Sequence, residues 1–107
     1  MPLFAVARNR GAAWRADRTP EEQEAYRAHA THMNQLYEEG AVVLGGWLED
    51  TGDVLLIMRA ASRSEVLSRL QGDPWTGLDI LAVSRVAPWS LGLGTLPIAG
   101  EPSSLSG

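Results

Sequence analysis

At 107 residues the chain has room for one small domain, and a hydrophobic content of 45% supplies one core rather than two. A formal net charge of −4 argues against nucleic acid or an anionic membrane as partner, because neither attracts a net-negative protein. Cysteine is absent, which removes disulfides, thiolate metal sites and Cys nucleophiles together and fits a reducing compartment.

The first residues, Met1-Pro2-Leu3-Phe4-Ala5-Val6, carry neither a basic region nor a long apolar run, so no signal peptide is expected. No stretch approaches the roughly 18 apolar residues of a membrane span. The expectation is a soluble, cytoplasmic protein with a small-molecule or protein partner. Leu3 to Arg8 read as a first strand, and an Arg-rich connection follows, so that Arg8, Arg10, Arg15 and Arg18 fall between this strand and the next element. They read either as an anion-attracting lip over a pocket or as the Arg-for-Lys bias of a GC-rich genome, and the second reading is favoured because every cation of the chain is Arg.

Thr19-Pro20-Glu21-Glu22 supplies an N-cap, a proline at the first helical position and a Glu that closes a capping box, which predicts a helix from here to Gly40. Ala41–Leu44 and Val54–Met58 are β-rich runs joined by the turn-forming Glu49-Asp50-Thr51-Gly52-Asp53. Ser62-Arg63-Ser64-Glu65 is a second capping box; it opens a helix carrying Val66, Leu67 and Leu70, with Gly72 as its stop. Leu78 to Val86 reads as the last strand.

The order βαββαβ predicts an α+β, ferredoxin-like domain over residues 1–89, a four-stranded antiparallel sheet with both helices on one face. The central strands are apolar almost without alternation, so both sheet faces need cover and two helices shield one. A homodimer with sheet facing sheet, closing an α/β barrel, is the expected solution. Residues 90–107 are rich in Ser, Gly and Pro but retain Leu91, Leu93, Leu96 and Ile98, and read equally as a disordered tail or as an extended arm.

Projecting the first helix at about 100° per residue sets Tyr26, Ala30, Met33, Leu36 and Tyr37 in one stripe and puts His29 within it, about 40° from Met33. His32 falls at the stripe's edge, about 100° from Met33. His29 is thus either a core histidine satisfied by a backbone carbonyl or a cleft-lining base. Asp73, in Gly72-Asp73-Pro74-Trp75, is either a turn former bonding its own backbone or a carboxylate that meets His29, fixes its tautomer and raises its basicity. A metal set of His29, His32 and Asp73 is disfavoured, because the two imidazoles diverge by about 60° on the helix. No cofactor motif is present: the glycine pairs lack the strand-turn-helix context of a phosphate loop or dinucleotide fingerprint. Trp47, after Gly45-Gly46, and Trp75, beside Asp73, are candidate pocket walls; Trp14 is placed to cap the mouth, and Tyr26 and Met33 flank His29 as further substrate-side candidates.

The chain resembles the YciI-like (YCII-related) family in four features: His29 eleven residues before Gly40, Val42-Val43-Leu44 running into Gly45-Gly46, Asp73-Pro74-Trp75, and Pro88-Trp89 closing the last strand. The resemblance covers residues 3 to 89. It implies a ferredoxin-like fold that dimerises into an α/β barrel, with His29 and Asp73 as the catalytic pair and activities that include elimination from halogenated hydroxylated aromatics. The chain departs from the family at Trp47, where proline is common, and at Tyr26-Arg27, where Arg-Pro is common; the broad Trp47 suits a flat, conjugated ligand. The leading expectation is a cofactor-independent lyase or isomerase that moves a proton on a small phenolic, enolisable or lactone substrate. Its alternatives are a non-catalytic small-molecule-binding or accessory protein and a cofactor-free monooxygenase on the same barrel.

Overall fold

Strict alternation along the first strand sets the architecture: Phe4, Val6 and Arg8 point to one side and are buried, while Leu3, Ala5 and Ala7 point to the other and are half-buried. The structure, a computed structural model, describes residues 1–97. In chain order the elements are β1 (Leu3–Arg10), a single 3-10 turn (Pro20–Glu22), α1 (Tyr26–Glu38), β2 (Val42–Trp47), β3 (Val54–Arg59), α2 (Arg63–Gln71), α3 (Pro74–Gly77) and β4 (Leu81–Trp89). The sheet order is β2-β3-β1-β4, with every neighbouring pair antiparallel. This is the ferredoxin-like α+β arrangement that the βαββαβ order predicts. The core lies on the helix side, where Phe4, Val6, Leu56 and Met58 meet Leu36, Val66 and Leu70.

The strands β1 and β2 run on to Arg10 and Trp47, past their expected ends, and three further differences from the sequence reading shape the site. The helix expected from Thr19 is broken in two. Thr19 and Glu22 do pair as a capping box would have them, with the Thr19 N–H donating to Glu22 Oε1 at 3.0 Å, but they close only the 3-10 turn. Gln23 is then held extended because its buried side chain serves the preceding loop. Its amide nitrogen donates to the carbonyls of Arg15, Arg18 and Thr19, and its oxygen accepts from the Arg15 N–H. Ala25 follows in the left-handed region at φ 57°, and α1 starts one residue later.

The turn expected at Asp73 is a one-turn helix, α3, with Asp73 as N-cap and Pro74 at its first position. The last strand starts at Leu81 rather than Leu78 and runs on to Trp89. Gly40, at φ 85°, ends α1 as expected. Gly72 caps α2 in a right-handed conformation, φ −73°, so it is not there for handedness.

Two bulges reset the side-chain parity of the sheet. Between β2 and β3 the register slips at Val43, so that Val42 and Trp47 fall on the same, helix-side face. Between β1 and β4 it slips beside Arg8, with the Ser84 hydroxyl donating to the Ala7 carbonyl at 3.1 Å. The opposite sheet face carries Ala5, Ala7, Leu55, Ile57 and Ala87, with Arg85 beside them, around a shallow, mostly apolar groove. Among the described residues no helix is long and apolar enough to cross a membrane. Ser90 to Pro97 has no regular structure, and Leu93 is fully exposed; the arm expected over residues 90–107 otherwise lies outside the described residues.

Candidate functional site

The site is built where the start of α1, the end of β1 and the α2–α3 junction converge. Asp73 is fixed first. As N-cap of α3 its Oδ1 accepts from the Trp75 N–H at 3.0 Å, and the proline after it restricts its backbone to the extended form that such a cap needs. His29, one turn into α1, reaches across: its Nδ1 lies 2.8 Å from Asp73 Oδ2 and 3.0 Å from Oδ1. A carboxylate only accepts, so Nδ1 carries a proton, and in the neutral imidazole the lone pair is on Nε2. Nε2 makes no hydrogen bond among the described residues, and the imidazole is 15% exposed.

The imidazole lies flat on the Trp75 indole, with centroids 3.8 Å apart and planes 6° from parallel. Trp75 is itself anchored, its Nε1 donating to the Glu24 carbonyl at 2.6 Å. That bond ties down the residue before the left-handed Ala25, and so links the site to the point where α1 begins. Tyr26 stands 6.4 Å from His29 and 6.0 Å from Trp75, and Trp14 meets Trp75 edge-on at 5.8 Å. Arg10 lies over the outer face of Trp14, 4.4 Å from its ring centre.

Behind the pair stands Arg8, fully buried. Its Nη1 donates to Asp73 Oδ2 at 2.8 Å and its Nη2 to Thr76 Oγ1 at 2.9 Å; the Thr76 hydroxyl donates onward to the Leu70 carbonyl at 2.7 Å. Burial pushes the Asp73 carboxyl up, but the hydrogen bonds from His29, the Trp75 N–H and Arg8, with the charge of His29, outweigh it and hold the group below the usual carboxylate value. Met33 packs behind, its sulfur 3.9 Å from Arg8 Nη1.

The structure therefore brings His29, Asp73, Trp75, Tyr26, Trp14 and Met33 together. Trp47 stands apart from that ring cluster. It pairs with Val54, and Val54 pairs with Arg8, so the three lie in one row across β2, β3 and β1, with Trp47 71% exposed at the edge. His32 turns elsewhere, its Nε2 bonded to the Arg69 carbonyl at 2.8 Å, and no cluster of three or more metal-binding side chains is present among the described residues. The four arginines of the first connection do not form one lip. Arg8 is inside, Arg10 is on Trp14, and Arg15 pairs with Asp17 at 3.5 Å.

Thr76 is the member that sequence reading missed, and Arg8, read there only as part of a possible anion-attracting lip, is instead the buried partner of Asp73. The signal for Arg8 was present: it continues the Phe4, Val6 parity of β1, and that face is the core face.

An antiparallel ferredoxin-like sheet with a histidine and an aspartate joined under its helices defines the class of fold, and the family follows from comparison. The YCII-related domain matches residues 1–90, and the chain belongs to that family. No curated protein matches the chain. Among solved structures it is similar to 5-chloro-2-hydroxyhydroquinone dehydrochlorinase (TftG) of Burkholderia phenoliruptrix AC1100, in complex with 2,5-dihydroxybenzoquinone. The two are 26% identical with a TM-score of 0.58, over 84% of this chain and 95% of that one.

Proposed function

We propose that the protein is a cofactor-independent lyase or isomerase for small hydroxylated aromatic or otherwise enolisable compounds, with His29 as its general base and acid. The observation that carries this reading is the His29–Asp73 contact at 2.8 Å, which leaves Nε2 as an unbonded lone pair at a partly open position. The similarity to a dehydrochlorinase that binds a dihydroxybenzoquinone supports the substrate class.

In this mechanism Nε2 takes the proton of a substrate O–H or activated C–H. Asp73 keeps the ring oriented and stabilises the imidazolium that forms. The released electron pair moves into the conjugated system. In an isomerisation the same proton is returned at another atom; in an elimination a leaving group departs with its bonding pair, so that HX is lost and no oxidant or reductant is needed. The faces of Trp75 and Tyr26, with Trp47 at the sheet edge, suit a flat ring.

The test is turnover of a panel of chlorinated hydroquinones, hydroxyquinones and enol lactones, followed by absorbance and halide release. The His29→Asn variant should retain its circular dichroism spectrum and lose activity by about 10³-fold. Retained activity in a folded His29→Asn protein sinks the assignment. Loss-free binding of the panel without turnover in the unmodified protein favours the accessory-protein reading, and oxygen uptake favours the oxygenase.

The apolar second face of the sheet supports a homodimer, the arrangement in which a second copy covers Ala5, Ala7, Leu55 and Ile57. Light scattering at micromolar concentration checks it, and a monodisperse monomer counts against it.

A further inference from the structure

Stability alone gives a poor account of Arg8. A buried ion pair is often no better than apolar residues of equal volume. This one also leaves Arg8 Nε buried with no partner among the described residues. Yet the fold is arranged around it. A β-bulge sits beside it in the β1–β4 pairing, and bulges there re-aim side chains. Thr76, anchored on the Leu70 carbonyl, receives the second arm of the guanidinium.

The first arm shares an acceptor with the base. Arg8 Nη1 and His29 Nδ1 both lie 2.8 Å from Asp73 Oδ2. The titratable or charged side chains joined to His29 by the contacts of the site are Asp73 at the start of α3, Arg8 on β1 through the shared carboxylate, and Tyr26 on α1, 6.4 Å away ring to ring. His32 is engaged by the Arg69 carbonyl, and Tyr26 presents its ring. The opposed charges that meet at the oxygen shared with His29 are therefore Asp73 and Arg8. A lone carboxylate would bind the imidazolium tightly and make it slow to give its proton back. A guanidinium on the same oxygen offsets that pull, and it brings the resting group of three to net neutrality.

We infer that Arg8 is a positioning and charge-balancing residue of the His29–Asp73 pair, holding the carboxylate in register while tempering its field so that His29 both takes and returns a proton. The inference rests on the proton-transfer reading above.

Two variants test it: Arg8→Met, which removes the charge and keeps the stem, and Arg8→Lys, which keeps the charge and loses the fork. Folding is verified by circular dichroism. In Arg8→Met, kcat should fall about 10²-fold with KM within about three-fold. The acid limb of its pH–rate profile should move up by about one pH unit or more, because the pair without its guanidinium keeps its proton to higher pH. In Arg8→Lys the acid limb should stay in place while kcat falls about ten-fold.

Ring-nitrogen NMR of His29 follows the same titration without turnover. A folded Arg8→Met protein whose ring signals titrate as in the unmodified protein overturns the inference. If Arg8→Met does not fold, an acid limb or ring titration displaced upward in Arg8→Lys overturns it instead. Should His29→Asn keep its turnover, the catalytic reading falls, and the ring titration still decides the role of Arg8.

Discussion

The His29 imidazole and the Trp75 indole lie face to face, 3.8 Å apart and 6° from parallel. The stack does two jobs that substitutions can separate. Its indole face supports the base, and its Nε1 bond to Glu24 holds the chain at the left-handed Ala25. Trp75→Phe keeps a ring under His29 and loses the bond, so it should lower unfolding free energy by about 1–2 kcal/mol in urea melts while kcat falls less than ten-fold. Trp75→Ala removes both and leaves a cavity, with an expected cost of about 3–5 kcal/mol. Equal losses in the two variants would deny the ring its separate part.

Gly72 answers to His32. A Cβ built on Gly72 would lie 2.8 Å from His32 Cε1, and the backbone there is right-handed at φ −73°, where alanine is ordinarily the better residue. Gly72→Ala is therefore expected to destabilise by about 1 kcal/mol, by displacing the imidazole from the Arg69 carbonyl. In a His32→Ala background the same change should become neutral or stabilising. A double-mutant cycle by chemical denaturation measures the difference in sign.

How much of this was legible beforehand depends on the range of each signal. The βαββαβ order was readable because caps and turns such as Thr19-Pro20, Gly40 and Ser62 to Glu65 are local. The break at Gln23 was not, because it depends on a side chain bonding carbonyls four to eight residues away in a loop that has no pattern. His29 was separable from His32 by helix phase, and the expected pairing with Asp73 came from family resemblance; their separation in the chain is 44 residues, beyond any periodicity. Arg8 was visible in strand parity but hidden by its setting in an arginine-rich stretch. The face taken by Trp47 could not be read, since it follows from the bulge at Val43.

The Asp73 carboxyl is held below its usual value of 3.8, because the hydrogen bonds it accepts outweigh the opposing effect of burial. The unfolded chain then binds the proton more readily than the folded one, so stability rises with pH through this range. The contribution is fully present above the ordinary value and is lost as the pH falls through the folded one. Urea melts from about pH 6 down to pH 2 should show this decline. Asp73→Asn should flatten it, at the cost of about 3 kcal/mol or more at pH 7, because Arg8 is left buried without a counter-charge. An unchanged pH profile in Asp73→Asn would assign the acid sensitivity to other carboxylates.

Trp47 tests the orientation of the ligand. It shares a face and a row with Arg8, across Val54, yet the residue is 71% exposed and makes no ring contact with the Trp14, Tyr26 and Trp75 cluster. A residue so placed adds little to the core, so Trp47→Ala should change stability by no more than about 0.5 kcal/mol. If the proposed substrate lies between His29 and the edge of β2, the same change should raise KM about ten-fold for a flat aromatic substrate, since an aromatic contact is worth about 1 kcal/mol beyond its buried area. The value of kcat should hold, because Trp47 lies away from the transferred proton. An unchanged KM in a folded Trp47→Ala protein would move the ligand off this row and toward the Trp14 side of the site.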